Sequence, residues 1–67
     1  MNVVVNGDSR DLPAGTTVGD VIAQMHGGRA HGVAVAVNGE VVSRGAWEAT
    51  TLQPEDRVEV LAAAQGG

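Results

Sequence analysis

The chain has 67 residues, which is enough for one small domain and too few for two. Eight acidic residues against four arginines give a net charge of −4, which argues against a nucleic-acid partner and suits docking to a basic protein surface. Cysteine and lysine are absent, which excludes a thiol nucleophile, a disulfide and lysine-based Schiff-base chemistry.

No window of the sequence approaches the length of an apolar membrane span, and the N-terminus has no basic region of the kind that opens a signal peptide. We therefore expect a cytoplasmic protein with no membrane partner.

The first residues predict a β-hairpin. Residues 3–5 are a β-branched run, and Asn6-Gly7 after them is a strong turn signal because both residues tolerate a positive φ. The returning strand is expected around residues 10–12, and Pro13 then breaks the pattern.

A short amphipathic helix is expected next. Thr17 is a good N-cap, and Asp20 can reach back to it in a capping box. Apolar residues then recur at i, i+3, i+4 and i+7, and a glycine at 27 or 28 supplies the stop. The apolar stripe consists of Val18, Val21, Ile22 and Met25.

The second half of the chain predicts three strands. Residues 33–37 alternate valine with alanine, so we expect a bulky face on the core and a small-residue face away from it. Asn38-Gly39 repeats the hairpin signal before a return at 40–42. Residues 43–50 are expected to be irregular, with Trp47 as a lid on the core, and the last strand is expected at 57–61.

This order, ββαβββ, indicates an α+β fold in which a mixed sheet of four or five strands carries one helix on one face. The other face must meet solvent or a partner. By alternation Val4, Glu59 and Leu61 point away from the helix. Val4 and Leu61 therefore form a candidate docking patch, and the alternative is the scattered apolar residues found on ordinary surfaces.

The last six residues, 62–67, carry no branched or aromatic side chain that would anchor them. We expect a folded domain at 1–61 and a mobile tail at 62–67, which reaches roughly 16–20 Å when extended. Gly66 and Gly67 lack a Cβ atom, so the chain end fits a narrow slot. The alternative is an ordinary frayed terminus.

Catalytic side chains are scarce in this sequence. His26 and His31 are the only histidines and have no evident third ligand, so no metal site is predicted. Arg44 is a candidate for steering a partner's carboxylate or phosphate, although a solvated arginine is the commoner role. We therefore expect chemistry on the chain itself. Activation of the Gly67 carboxylate as a mixed anhydride with AMP would allow attack by sulfur and give a thiocarboxylate.

Several segments together fit one known pattern. They are the hairpin at 2–12, residues 14–18, residues 36–42, the pair Arg44 and Trp47, residues 52–60 and the terminal Gly66-Gly67. Over the whole chain they resemble the ubiquitin-like β-grasp superfamily and, within it, the ThiS family of thiamine-biosynthesis sulfur carriers. Ser43, where proline is often seen, and Ala64-Gln65, where a smaller or more apolar pair is common, depart from that pattern and bear on partner specificity.

The resemblance implies a carrier that is not itself an enzyme. An E1-like adenylating enzyme of the ThiF type would act on Gly67, with ATP and Mg²⁺ supplied by that partner and no cofactor bound to this chain. A donor enzyme would provide sulfur, and the thiocarboxylate would pass it to a thiazole synthase of the ThiG type for the thiazole ring of thiamine. The residues expected to dock the partners are Val4, Arg44, Glu59, Leu61 and Gln65.

Three other functions stay open. The chain resembles less closely the small subunit of molybdopterin synthase, which also ends in Gly-Gly. It also fits a tag that is joined to lysines of target proteins, or a plain binding module whose terminal glycines have no role.

Overall fold

One α-helix and five strands make up the part of the chain that the computed structural model describes, residues 1–26 and 32–62. The predicted order ββαβββ and the α+β class are confirmed, and the sheet has five strands. The elements are β1 (Asn2–Val5), β2 (Asp8–Asp11), α1 (Val18–His26), β3 (Val33–Val37), β4 (Glu40–Val42), a 3₁₀ helix (Arg44–Ala49) and β5 (Arg57–Ala62).

The last strand lies in the middle of the sheet. The strand order is β2-β1-β5-β3-β4, in which β1 and β5 run parallel and every other pair is antiparallel. Parallel neighbours cannot be joined by a tight turn. The helix and the β3–β4 hairpin lie between β1 and β5 in the chain. The last described residues of the chain therefore lie on the central strand of the sheet.

Both predicted hairpins have two-residue turns. The central residues all have positive φ, 50° and 84° at Asn6-Gly7 and 52° and 85° at Asn38-Gly39, as a type I′ turn requires. The first turn pairs Val5 with Asp8, so β2 begins at Asp8. The prediction of a return around residues 10–12 was therefore too late. A two-residue turn puts Asp8 opposite Val5, so pairing begins directly after the turn.

The core lies between α1 and one face of the sheet. The positions of β1 and β5 that alternate with the predicted outward ones are buried, and Trp47 of the 3₁₀ helix and two loop residues, Leu12 and Leu52, complete the cluster. Its members are Val3, Val5, Leu12, Val18, Val21, Ile22, Val35, Trp47, Leu52, Val58 and Val60.

Trp47 closes the core as predicted, with 5% of its surface exposed. Its indole Nε1 donates a hydrogen bond of 2.9 Å to the Val42 carbonyl, so the one polar group of the side chain is satisfied. The prediction that residues 43–50 are irregular was wrong. The Ala46 N–H donates to the Ser43 carbonyl and the Thr50 N–H to the Trp47 carbonyl, which are the i→i+3 bonds of a 3₁₀ helix.

The helix begins with the predicted capping box. The Thr17 hydroxyl accepts a hydrogen bond of 3.1 Å from the Asp20 N–H, and the Asp20 carboxylate accepts one of 3.0 Å from the Thr17 N–H. A helix of nine residues is marginal by itself. The capping box stabilises it, because the Asp20 N–H is a first-turn donor that has no acceptor inside the helix.

We predict that Thr17→Ala lowers the free energy of unfolding by about 1 kcal/mol, because the Asp20 N–H loses its acceptor. Urea titration followed by the fluorescence of Trp47 measures the change. Thr17→Ser keeps a hydroxyl and should stay close to the unsubstituted chain. Equal stability of the alanine and serine variants would contradict this account of the helix start.

Candidate docking surface and chain end

The face of the sheet opposite α1 is not covered by any element of the described chain. The register sets its side chains in rows across the strands. Val41 of β4 pairs with Ala36 of β3, which pairs with Glu59 of β5. Two pairs further along, Ala34 of β3 lies opposite Leu61 of β5. Side chains of directly paired residues point to the same face.

Two large apolar side chains stand out on this face. Val41 is 81% exposed and Leu61 is 72% exposed. They lie on strands that are about 10 Å apart at the usual strand spacing, and they are offset by two residues along the sheet. Ala36 and Ala34 lie on β3, the strand between them. We call Val41, Ala36, Ala34 and Leu61 the open-face patch. Its middle is low because alanine has a single methyl group, so a partner's side chains can approach the backbone there.

A groove of about 520 Å³ adjoins the open-face patch along β1 and β5. Val4, Glu59 and Leu61, the three residues that alternation predicted to point away from the helix, all line it. The prediction of their orientation is therefore confirmed, and their role in docking stays a prediction. The other residues that line the groove are Asn6, Gly7 and Arg57.

Arg44 does not line this groove. It is exposed and is the first residue of the 3₁₀ helix, two residues after β4 ends at Val42. Val42 pairs with Val35, which pairs with Val60. Arg44 therefore follows β4 at the end of the sheet from which β5 leaves.

The structure describes β5 as far as Ala62, which pairs with Val33. Ala62 was predicted to belong to the tail, so the ordered strand includes one residue more than the predicted domain. Gln65, Gly66 and Gly67 lie outside the described residues, as does His31. Five residues follow Ala62, and an extended chain of that length spans roughly 17 Å.

No set of three or more metal-ligating side chains comes together among residues 1–26 and 32–62. In the same residues, no helix has both the length and the apolar character needed to cross a membrane.

Sequence reasoning missed part of this surface. Glu40, Val41 and Val42 form a strand of three residues, which is too short for alternation to say which valine faces the core. The small-residue face of β3 was predicted, but its place beside Leu61 depends on the central position of β5. The valine–alanine alternation was the available signal for Ala34 and Ala36.

The comparisons with known proteins agree with this fold. The model of the ThiS family matches residues 3–67. A crystal structure of a thiamine biosynthesis protein (ThiS) from Geobacter metallireducens is similar with a TM-score of 0.81 and 35% sequence identity, and each chain is covered completely. A solution structure of a thiamine biosynthesis protein from the same organism has a TM-score of 0.80 and 36% identity, with 100% of this chain and 88% of that chain covered.

No curated protein sequence matches the chain. The family match spans nearly the whole sequence, and the two solved structures share its ubiquitin-like β-grasp arrangement of five strands and one helix. The chain belongs to the ThiS family.

Proposed function

We propose that this chain is a sulfur carrier of thiamine biosynthesis and that its Gly67 carboxylate becomes the thiocarboxylate that carries the sulfur. The observation that supports this most is the family match over residues 3–67. The similarity over full length to a thiamine biosynthesis protein adds to it. The family favours this function over a molybdopterin synthase subunit or a conjugation tag.

The chemistry requires activation because a carboxylate is a poor electrophile. An oxygen of the Gly67 carboxylate attacks the α-phosphorus of ATP, the bond to the β-phosphate breaks, and pyrophosphate leaves. The acyl adenylate then reacts with hydrosulfide at its carbonyl carbon. A C–S bond forms, and the bond between the carbonyl carbon and the phosphate oxygen breaks, so that AMP leaves. A proton is released, and a thiocarboxylate remains.

The chain itself supplies the reacting end and the surface by which it is held. It has no P-loop lysine to bind ATP and no cysteine to store sulfur, so an adenylating enzyme provides ATP and Mg²⁺ and a donor enzyme provides sulfur. In this proposal the protein is a substrate of an E1-like enzyme and then of a thiazole synthase.

The open-face patch is the surface that we propose these partners recognise. Leu61 is an exposed apolar side chain six residues before Gly67, so a partner that binds it also fixes how far the chain end reaches. Burial of such a side chain contributes roughly 1.5–3 kcal/mol. The net charge of −4 adds a longer-range attraction to a basic partner surface.

We predict that incubation with a ThiF-type adenylating enzyme, MgATP and sulfide replaces one oxygen of Gly67 by sulfur. Intact-mass spectrometry, followed by fragmentation to place the change, measures it. A chain without Gly67 is the matched control, and it should give no product with an unchanged melting temperature because glycine has no side chain to bury. An unchanged mass while the Geobacter metallireducens protein reacts in parallel would contradict the proposal.

We also predict that Leu61→Glu raises the Kd for the adenylating enzyme by roughly 10- to 100-fold, because the side chain loses its apolar contact and gains a charge. Ala23→Glu is the matched control, since it adds the same charge at an exposed position of α1 in the other layer. Isothermal titration calorimetry measures both. The same Kd for the two variants would rule out the open-face patch as the docking surface.

A further inference from the structure

The side chain of Asn6 is bonded to the backbone of the last strand. Its Nδ2 donates a hydrogen bond of 3.2 Å to the Val60 carbonyl, and its Oδ1 accepts one of 2.8 Å from the Val60 N–H. The two residues are 54 positions apart in the sequence. A two-residue turn does not need this contact, because positive φ at Asn6 and Gly7 is enough to form it.

The amide of Asn6 continues the parallel β1–β5 pairing by one step. Two of the backbone bonds beside that pairing run from the Val4 N–H to the Asp56 carbonyl and from the Asn6 N–H to the Val58 carbonyl. The chain then turns away at Gly7 towards β2. A side-chain amide carries the same donor and acceptor as a peptide group, so Asn6 takes the place of a backbone partner for Val60.

Among the described residues, Val60 is consequently the last position of β5 that is hydrogen-bonded to β1 or to the turn that follows β1. Beyond it, Leu61 and Ala62 pair with Ala34 and Val33 on the β3 side. Val60 is also seven residues before Gly67. Asn6 therefore bonds to β5 at the last position where the strand has hydrogen-bond partners on both sides.

We propose that Asn6 is a positioning residue for the reaction at the chain end. Its two hydrogen bonds fix β5 at Val60, and they thereby set the position and direction from which the chain continues towards the adenylating enzyme. Ordering a chain on binding costs free energy, and a chain that is aligned in advance loses less of it. The inference rests on the proposed function, since it assumes that Gly67 is the reacting group.

Asn38 offers a matched control inside the same protein. It occupies the same position of an Asn-Gly turn with a φ of 52°. Its side chain also makes two hydrogen bonds of 2.9 Å, one from the Arg57 N–H and one to the Asp56 carboxylate. These bonds hold the beginning of β5, at the opposite end of the strand from Ala62. Glycine keeps the positive φ at either turn, so each variant removes the side-chain bonds and leaves the turn.

The experiment compares Asn6→Gly with Asn38→Gly. Steady-state pyrophosphate release by the adenylating enzyme gives kcat and KM for each chain, and amide hydrogen exchange reports on Val60. We expect Asn6→Gly to speed exchange at Val60 and to raise KM by roughly 3- to 10-fold with kcat nearly unchanged, the size of effect that two lost hydrogen bonds allow. Asn38→Gly should keep the KM of the unsubstituted chain. Asn6→Asp, which keeps the acceptor for the Val60 N–H, should fall between them.

An equal KM for both glycine variants, whether raised or unchanged, would overturn the inference, because a merely structural role predicts no difference between the two ends of β5. If the glycine variant at position 6 does not fold, the aspartate variant decides, and a KM equal to that of the unsubstituted chain would overturn the inference. Absence of pyrophosphate release from the unsubstituted chain would instead refute the proposed function, and the positioning role with it.

Discussion

The pairing of β1 with β5 in the middle of the sheet is the contact on which the rest of the structure depends. Val5 and Val58 are direct partners in this pairing and are almost completely buried beneath α1. Each such side chain contributes roughly 1.5–3 kcal/mol when it leaves water, which is a large share of the stability of a domain this small. Because the pairing is parallel, the two strands need a long connection between them, and the helix and the second hairpin lie within that connection. The chain end is thereby attached to the central strand of the sheet.

Because a single helix covers only one face of the sheet, the two faces of β5 differ in burial. Val58 and Val60 face the core, whereas Glu59 and Leu61 face away from it. The same alternation on β3 puts Val35 in the core and the alanines on the open side. The surface that we propose for docking is therefore built from the residues between the core positions. Substitutions there can change recognition with little effect on folding, because they remove no buried contact.

The Asn-Gly turns and the helix cap could be predicted from the sequence, whereas the 3₁₀ helix and the strand order could not. Asn-Gly turns and the Thr17–Asp20 capping box depend on residues that are neighbours in the chain, so their sequence signals are direct. The central place of β5 depends on pairing with β1 across more than fifty residues, which no local pattern encodes. Val41 stayed unassigned because its strand is too short to alternate. The sequence predicts that Asn6 forms a turn, but its bonds to Val60 follow only from the parallel pairing.

In the proposed function the free carboxylate of Gly67, rather than another group of the chain, reacts with ATP. Exchange of labelled pyrophosphate into ATP by the adenylating enzyme tests this most directly, because it detects the first reversible step without any sulfur donor. The comparison is between the chain with a free carboxylate at Gly67 and the same chain prepared with a carboxamide at Gly67. We expect exchange with the carboxylate and none with the carboxamide. Equal exchange with both chains would contradict the proposed function.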